Sequence, residues 1–159
     1  ALEHKETPTA LILTRQNLAH QARDEEQIKA IRKGGYVLKD CAGTPKAVII
    51  ATGSEVSLAV AAQQSLAEKG IPVRVVSMPS SFLFDRQDAA YRNDVLPRGI
   101  PRVAVEAGVT GYWRQYVGLE GAVVGIDRFG ECGPAAQVFE YLGVTVAKVT
   151  EAVETVIAA

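Results

Sequence analysis

The stretch Ala47-Val48-Ile49-Ile50-Ala51-Thr52-Gly53-Ser54-Glu55 passes directly from an unbroken apolar run into a Thr-Gly-Ser turn. A strand with one wet face alternates apolar and polar residues; this run does not alternate. It predicts a strand covered by helices on both faces, the usual state of a parallel strand in an α/β sheet. Val103–Val105 and Ala122–Val124 repeat the pattern downstream, Val73–Val76 does so with Arg74 as its one polar residue, and Ala10–Leu13 is an apolar run upstream. Tyr36–Leu38 reads as a further short strand. Helical patterns separate these runs, so the fold class is α/β with a mainly parallel sheet.

The intervening segments carry helix start and stop signals. Asp24, Glu25 and Glu26 open one helix, and Lys29, Arg32 and Lys33 close it before Gly34 and Gly35. Acid first and base last complements the helix dipole. Ile28 and Ile31 give that helix only a narrow apolar edge, which predicts a surface position. Ser54 is the expected N-cap of the next helix, which ends near Gly70 and buries Val56, Ala59, Val60, Ala62 and Leu66. Asp85 is the expected cap of a third helix running through Asn93. Pro134 suits the first turn of another, with Val138, Phe139 and Leu142 on its core face and Gly143 past its end. Val146, Val149, Val153, Val156 and Ile157 form a final helical stripe.

Composition narrows the function classes. The chain has 159 residues, 48% hydrophobic and 22% charged, a globular balance that excludes a disordered chain. Lys+Arg of 17 against Asp+Glu of 18 leaves no basic excess for nucleic-acid binding. No apolar run approaches the roughly 20 residues of a membrane helix. Neither nucleic acid nor membrane is therefore an expected partner. The chain opens Ala1-Leu2-Glu3-His4, with no initiator Met and no signal pattern, and is expected to be one piece of a larger protein. Cys41 and Cys132 form no CxxC pair; they read either as buried free thiols of a cytosolic protein or as a disulfide. His4 and His20 are the only histidines, both near the N-terminus. His20 reads as a solvated connector residue.

Self-contained active-site motifs are missing. There is no GxGxxG after a strand, no GxxxxGK[ST], no HExxH, no zinc-spaced Cys/His cluster and no GxSxG elbow. Two places remain. Thr52, Gly53 and Ser54 sit where a buried strand turns into a helix, and free N–H groups there make a possible anion site. The alternative is plain capping: Thr52 and Glu55 have capping-box spacing, and Glu55 repels an anion. Arg15 follows Ala10–Leu13 directly, at a strand's carboxyl end, where ligands bind in open α/β sheets. Its planar guanidinium suits phosphate in bidentate geometry, with a surface salt bridge as the alternative. Tyr112, Trp113 and Tyr116 beside Arg114 either stack on a ligand or seal a helix against the core. Glu106 either binds a polar group or caps the next helix. Asp127-Arg128 reads as a surface ion pair or loop charge.

These residues together resemble the C-terminal domain of transketolase, with the end of the preceding pyrimidine-binding domain attached. The resemblance rests on Ala10–Asn17 (ALILTRQN), Gly34–Asp40 (GGYVLKD), Ile50–Glu55 (IATGSE) and Val75–Ser80 (VVSMPS). It continues in order through Phe84–Tyr91 (FDRQDAAY), Val95–Pro97 (VLP), Tyr116–Leu119 (YVGL) and Phe129-Gly130. Any one piece is weak; the ordered series is specific. It implies a three-layer αβα domain with a five-stranded mixed, mostly parallel sheet. Residues 1–33 would be the end of the preceding domain and a connector, and 34–159 the C-terminal domain.

The resemblance also implies function. Transketolases move a two-carbon ketol unit between sugar phosphates, using thiamine diphosphate and a divalent cation, Mg or Ca. The family's cofactor lies between the first domain of one subunit and the middle domain of the other. This chain is therefore expected to bind neither group, to be inactive alone, and to work in a cytoplasmic homodimer with the two preceding domains. By resemblance Arg15 is the arginine that contacts the substrate phosphate; Thr14 stands where Ser is common and keeps the hydroxyl. Cys132-Gly133-Pro134 departs from the Ser-Ala-Pro of many relatives without disturbing the helix start. Deoxyxylulose phosphate synthases and the β-type subunits of 2-oxo-acid dehydrogenases use similar domains, but Arg15–Asn17 and Gln87–Pro97 are closer to transketolase. The rival reading from another class is a non-catalytic assembly or anion- or nucleotide-binding module of another thiamine-diphosphate-dependent enzyme, with its site at Thr52–Ser54.

Overall fold

Side chains of successive strand residues point to opposite faces of a sheet, and here each face has its own helical cover. The computed structural model describes residue 6 and residues 8–159. Five strands are present: β1 Tyr36–Lys39, β2 Ala47–Ala51, β3 Val73–Ser77, β4 Arg102–Val105 and β5 Ala122–Val124. Their spatial order is β1-β3-β2-β4-β5, with β1 antiparallel to β3 and every other pair parallel. The helices are α1 Glu25–Ala30, α2 Val56–Glu68, α3 Ser81–Phe84, α4 Ala89–Val95, α5 Arg114–Val117, α6 Ala135–Leu142 and α7 Val146–Ala158.

The residues of β2 divide by parity. Ala47, Ile49 and Ala51 pack with Val56, Ala59, Ala62 and Leu66 of α2 and Val149 and Val153 of α7. Val48 and Ile50 pack the other way, against Phe84, Val95, Trp113, Tyr116 and Val117. All five residues of β2 are fully buried, so each side chain contributes to one of two cores. At roughly 1.5–3 kcal/mol per buried branched side chain, this central strand is a principal source of the hydrophobic stabilisation. The layers are thus α2 and α7, the sheet, and α3 to α5. The expected three-layer αβα fold with a five-stranded mixed sheet is present.

Several local expectations need correction. Ala10–Leu13 forms no strand, and Leu11, Ile12 and Leu13 are 74%, 96% and 81% exposed. A strand requires a hydrogen-bonding neighbour, and neither edge of the described sheet takes this segment. Ser54 does not cap α2, nor do Thr52 and Glu55 form a capping box. A 3-10 turn over Gly53–Glu55 precedes the helix, and neither Thr52 nor Glu55 makes a side-chain capping bond. Asp85 caps nothing either. Ser80 caps α3 by accepting from the Leu83 N–H, and Asp88 caps α4 by accepting from the Tyr91 N–H at 2.8 Å. The cysteines are free but not buried: Cys41 is half-buried and Cys132 exposed.

The corrected cap is testable. Asp88→Ala is expected to cost about 1 kcal/mol and to speed amide exchange across Ala89–Val95. Asp85→Asn is expected to leave exchange in α4 unchanged; the reverse ranking would restore Asp85 as the cap.

Other expectations hold. Asp24 caps α1 in a full capping box with Gln27, and the helix has no buried residue. Gln27 also donates to the Val37 and Leu38 carbonyls at 3.0 and 2.8 Å, tying α1 to β1. Val138, Phe139 and Leu142 are only half-buried, leaving α6 peripheral.

Candidate functional site

The chain leaves β2 in one direction to reach β3, and returns across the sheet to β4 on the other side of β2. The carboxyl ends of β2 and β4 therefore form a switch point, the position where open α/β sheets bind ligands. Ala51 pairs with Val105, which brings Thr52–Ser54 and Glu106 to the same end of adjacent strands.

At the first of these, Thr52 is extended and Gly53 adopts φ +55°, a left-handed conformation that starts the tight turn. The Ser54 hydroxyl donates to the Glu55 carboxylate at 2.6 Å, and Glu55 is only 4% exposed. The turn thus carries a buried acid beside the amides that would receive an anion. At the other, Glu106 accepts the indole N–H of Trp113 at 2.5 Å. That bond satisfies a buried indole and gives Glu106 a structural partner within the chain.

Trp113 and Tyr116 are buried in the α3–α5 core, with ring centroids 5.7 Å apart. They seal the helix layer against the sheet, the latter of the two roles their spacing allowed. The Tyr116 hydroxyl donates to Asp85 at 2.9 Å. Burial, reinforced by that carboxylate, pushes the Tyr116 hydroxyl well above the usual phenol range. Neither the Asp85–Tyr116 pair nor the Glu106–Trp113 pair is legible in the sequence. Asp85 and Tyr116 stand 31 positions apart, and the position of Glu106 suits a helix cap equally well. Asp127 accepts from both the backbone N–H and the hydroxyl of Thr110, while Arg128 donates to Tyr141, so the two charges are loop charges and not an ion pair.

Arg15 lies in an exposed bend, where the Gln16 N–H donates to the Thr14 hydroxyl at 3.2 Å. No hydrogen bond or ion pair joins Arg15 to another described residue, and none brings it to the Thr52–Ser54 turn. His20 is exposed, and His4 lies outside the described residues. Among the described residues no group of three or more His, Cys, Asp and Glu is placed to hold a metal ion. No helix among them is long and apolar enough to cross a membrane.

Known proteins share this arrangement. A family model described as the transketolase-like C-terminal domain matches residues 34–145. Transketolase 1 of Escherichia coli K12 is 60% identical over 146 residues, covering 91% of this chain and 22% of that protein. The solved transketolase of Leishmania mexicana superposes with a TM-score of 0.80 at 40% identity, over 89% of this chain and 20% of that one. A split-gene transketolase, solved as an inactive β4 tetramer, gives a TM-score of 0.65 at 27% identity, over 91% of this chain and 48% of that one. The chain spans less than a quarter of the length of the curated relatives it matches. Sequence order, sheet topology and this coverage agree: the chain belongs to the transketolase-like C-terminal domain family.

Proposed function

We propose that this chain is the C-terminal part of an enzyme that transfers a two-carbon ketol unit between sugar phosphates. The observation that carries the proposal is the 60% identity to a transketolase across 91% of the chain. In this reading thiamine diphosphate and a divalent cation belong to the two preceding domains of a cytoplasmic, homodimeric enzyme. Residues 1–33 end the preceding domain and connect it to residues 34–159.

Arg15 is the residue of this chain that meets substrate. A guanidinium keeps its charge at any working pH and presents a planar fork to two phosphate oxygens. It follows an apolar segment, Leu11–Leu13, whose exposure is unusual for three consecutive large side chains. Pairing of that segment with strands of the preceding domain would cover it and fix Arg15 at a strand's carboxyl end. Its work there is to bind and orient the phosphorylated end of the sugar, far from the bond that changes.

The chain alone is expected to bind no thiamine diphosphate and to catalyse no ketol transfer. The inactive β4 tetramer of the split-gene relative supports this reading. Coupled-assay turnover and cofactor titration of the 159-residue chain test it. Turnover or saturable cofactor binding by the chain alone would sink it.

The rival reading is an assembly module with an anion or nucleotide site at Thr52, Gly53 and Ser54. The left-handed Gly53 turn at the switch point favours a ligand there, while buried Glu55 opposes an anionic one. Calorimetric titration with nucleotides separates the two readings: tight binding at that turn supports the module.

A further inference from the structure

At the amino end of β4, opposite the Thr52–Ser54 turn, an open cleft of about 460 Å³ lies between α4, the link into β4, and α5. Its walls include Asp85, Arg92, Asn93, Arg98, Arg102 and Tyr116. Three arginines against one carboxylate leave these walls with two positive charges in excess.

The three arginines are not equivalent. Arg102 is built into the wall. Its Nη1 donates to the Tyr116 carbonyl at 2.8 Å, and its Nη2 donates to the carbonyls of Leu96 and Pro97 at 2.9 and 3.0 Å. Its Nε is shielded from solvent and has no hydrogen-bond partner. A buried guanidinium N–H without a partner is costly and rare. Arg92 and Arg98 stand exposed on the rim, and neither is in an ion pair with another described residue. Asp85, the single acid, has both carboxylate oxygens 2.9 Å from the Tyr116 hydroxyl. Its charge is thus directed to a partner of its own. The Asn93 side-chain oxygen accepts the Arg98 backbone N–H at 3.3 Å, which leaves its amide N–H groups to donate.

Like charges gathered in one concave surface repel, and a dianion placed among them relieves that repulsion. Guanidinium forks match tetrahedral phosphate oxygens, and the cleft is larger than one phosphate group. We propose that this cleft binds a small phosphate monoester, with Arg92 and Arg98 closing on the phosphate from the rim, Arg102 supporting it from the wall, and Asn93 donating to the ester's polar remainder. The site does not depend on the ketol-transfer reading.

The test is a titration of the isotopically labelled 159-residue chain with inorganic phosphate, with glycerol 3-phosphate, and with acetate at matched ionic strength, followed by amide shifts. Expected are saturable shifts centred on residues 92–102 and 115–116. The expected Kd for glycerol 3-phosphate is about 1 mM or tighter. The ester should bind more tightly than free phosphate, and acetate more weakly than both. R92Q and R98Q should each weaken the ester by about tenfold without moving the denaturation midpoint. Arg102 is left intact because its loss would orphan three carbonyls. Linear, unsaturable shifts would overturn the proposal, as would shifts centred on residues 52–55, or an affinity in both variants equal to that of the unsubstituted chain. Equal or weaker binding of the ester than of free phosphate overturns the monoester assignment.

Discussion

Gly34→Ala is expected to destabilise this chain by about 2–5 kcal/mol, seen as a marked fall in denaturant midpoint. Two costs combine. Gly34 sits at φ +86°, where a Cβ crowds the following carbonyl. That added Cβ would also overlap the Ser80 carbonyl oxygen and stand 2.7 Å from the Leu83 Cβ. Backbone groups cannot step aside as a flexible side chain can. The position joins three elements: the Gly34 N–H donates to the Ile31 carbonyl, and its own carbonyl accepts from the Ser80 N–H at 2.9 Å. The entry to β1 and the start of α3 therefore move together if Gly34 moves. Gly43→Ala is the control. Gly43 also has a left-handed φ, +75°, but nothing lies within 4 Å of an added Cβ. Its cost should stop near the conformational part, about 1 kcal/mol. Equal losses at the two positions would remove close packing from the explanation.

Arg15→Ala, made in the full-length enzyme, is expected to raise KM for phosphorylated substrates roughly 10- to 100-fold. This corresponds to one charge-assisted contact of about 1.5–3 kcal/mol. Because the contact is the same in ground and transition states, kcat should change little. A ketose without phosphate should show no such effect, and Arg15→Lys should recover part of the loss by restoring charge without the fork. The denaturation midpoint should not move, since Arg15 is exposed and holds nothing in this chain. An unchanged KM for phosphorylated substrate would end the phosphate role.

The legible parts of the fold share a physical character. The runs Ala47–Ala51 and Ala122–Val124 coincide with β2 and β5, because a strand covered on both faces is written as continuous apolar residues. The α7 stripe was legible because a 3.6-residue period belongs to one segment. Caps were less so. Asp85, Asp88 and Ser80 are all plausible N-caps by type, and the choice turned on where each side chain finds a partner. Asp85 went to Tyr116, far along the chain. Ala10–Leu13 has a strand's composition, but a strand needs a hydrogen-bonding neighbour, and no sheet edge among the described residues takes it. The candidate site was legible only in part. Arg15 was singled out by its motif, whereas the arginine cleft was missed: Arg92, Arg98 and Arg102 resemble scattered surface charges until α4, β4 and α5 close around them.

Composition and pattern alone determined the class, the strands from Tyr36 onward and the long helices α2 and α7 on one face, because each of these is a property of local periodicity. Ordered motifs further pointed to the family. Only the tertiary structure decided the strand order, the placement of β1 as an antiparallel edge beside β3, and the division of β2 between two cores. Only it gathered Arg92, Arg98 and Arg102 into one cleft. Strand order and side-chain partnership are relations between segments that local pattern does not encode; packing the two cores at once selects them.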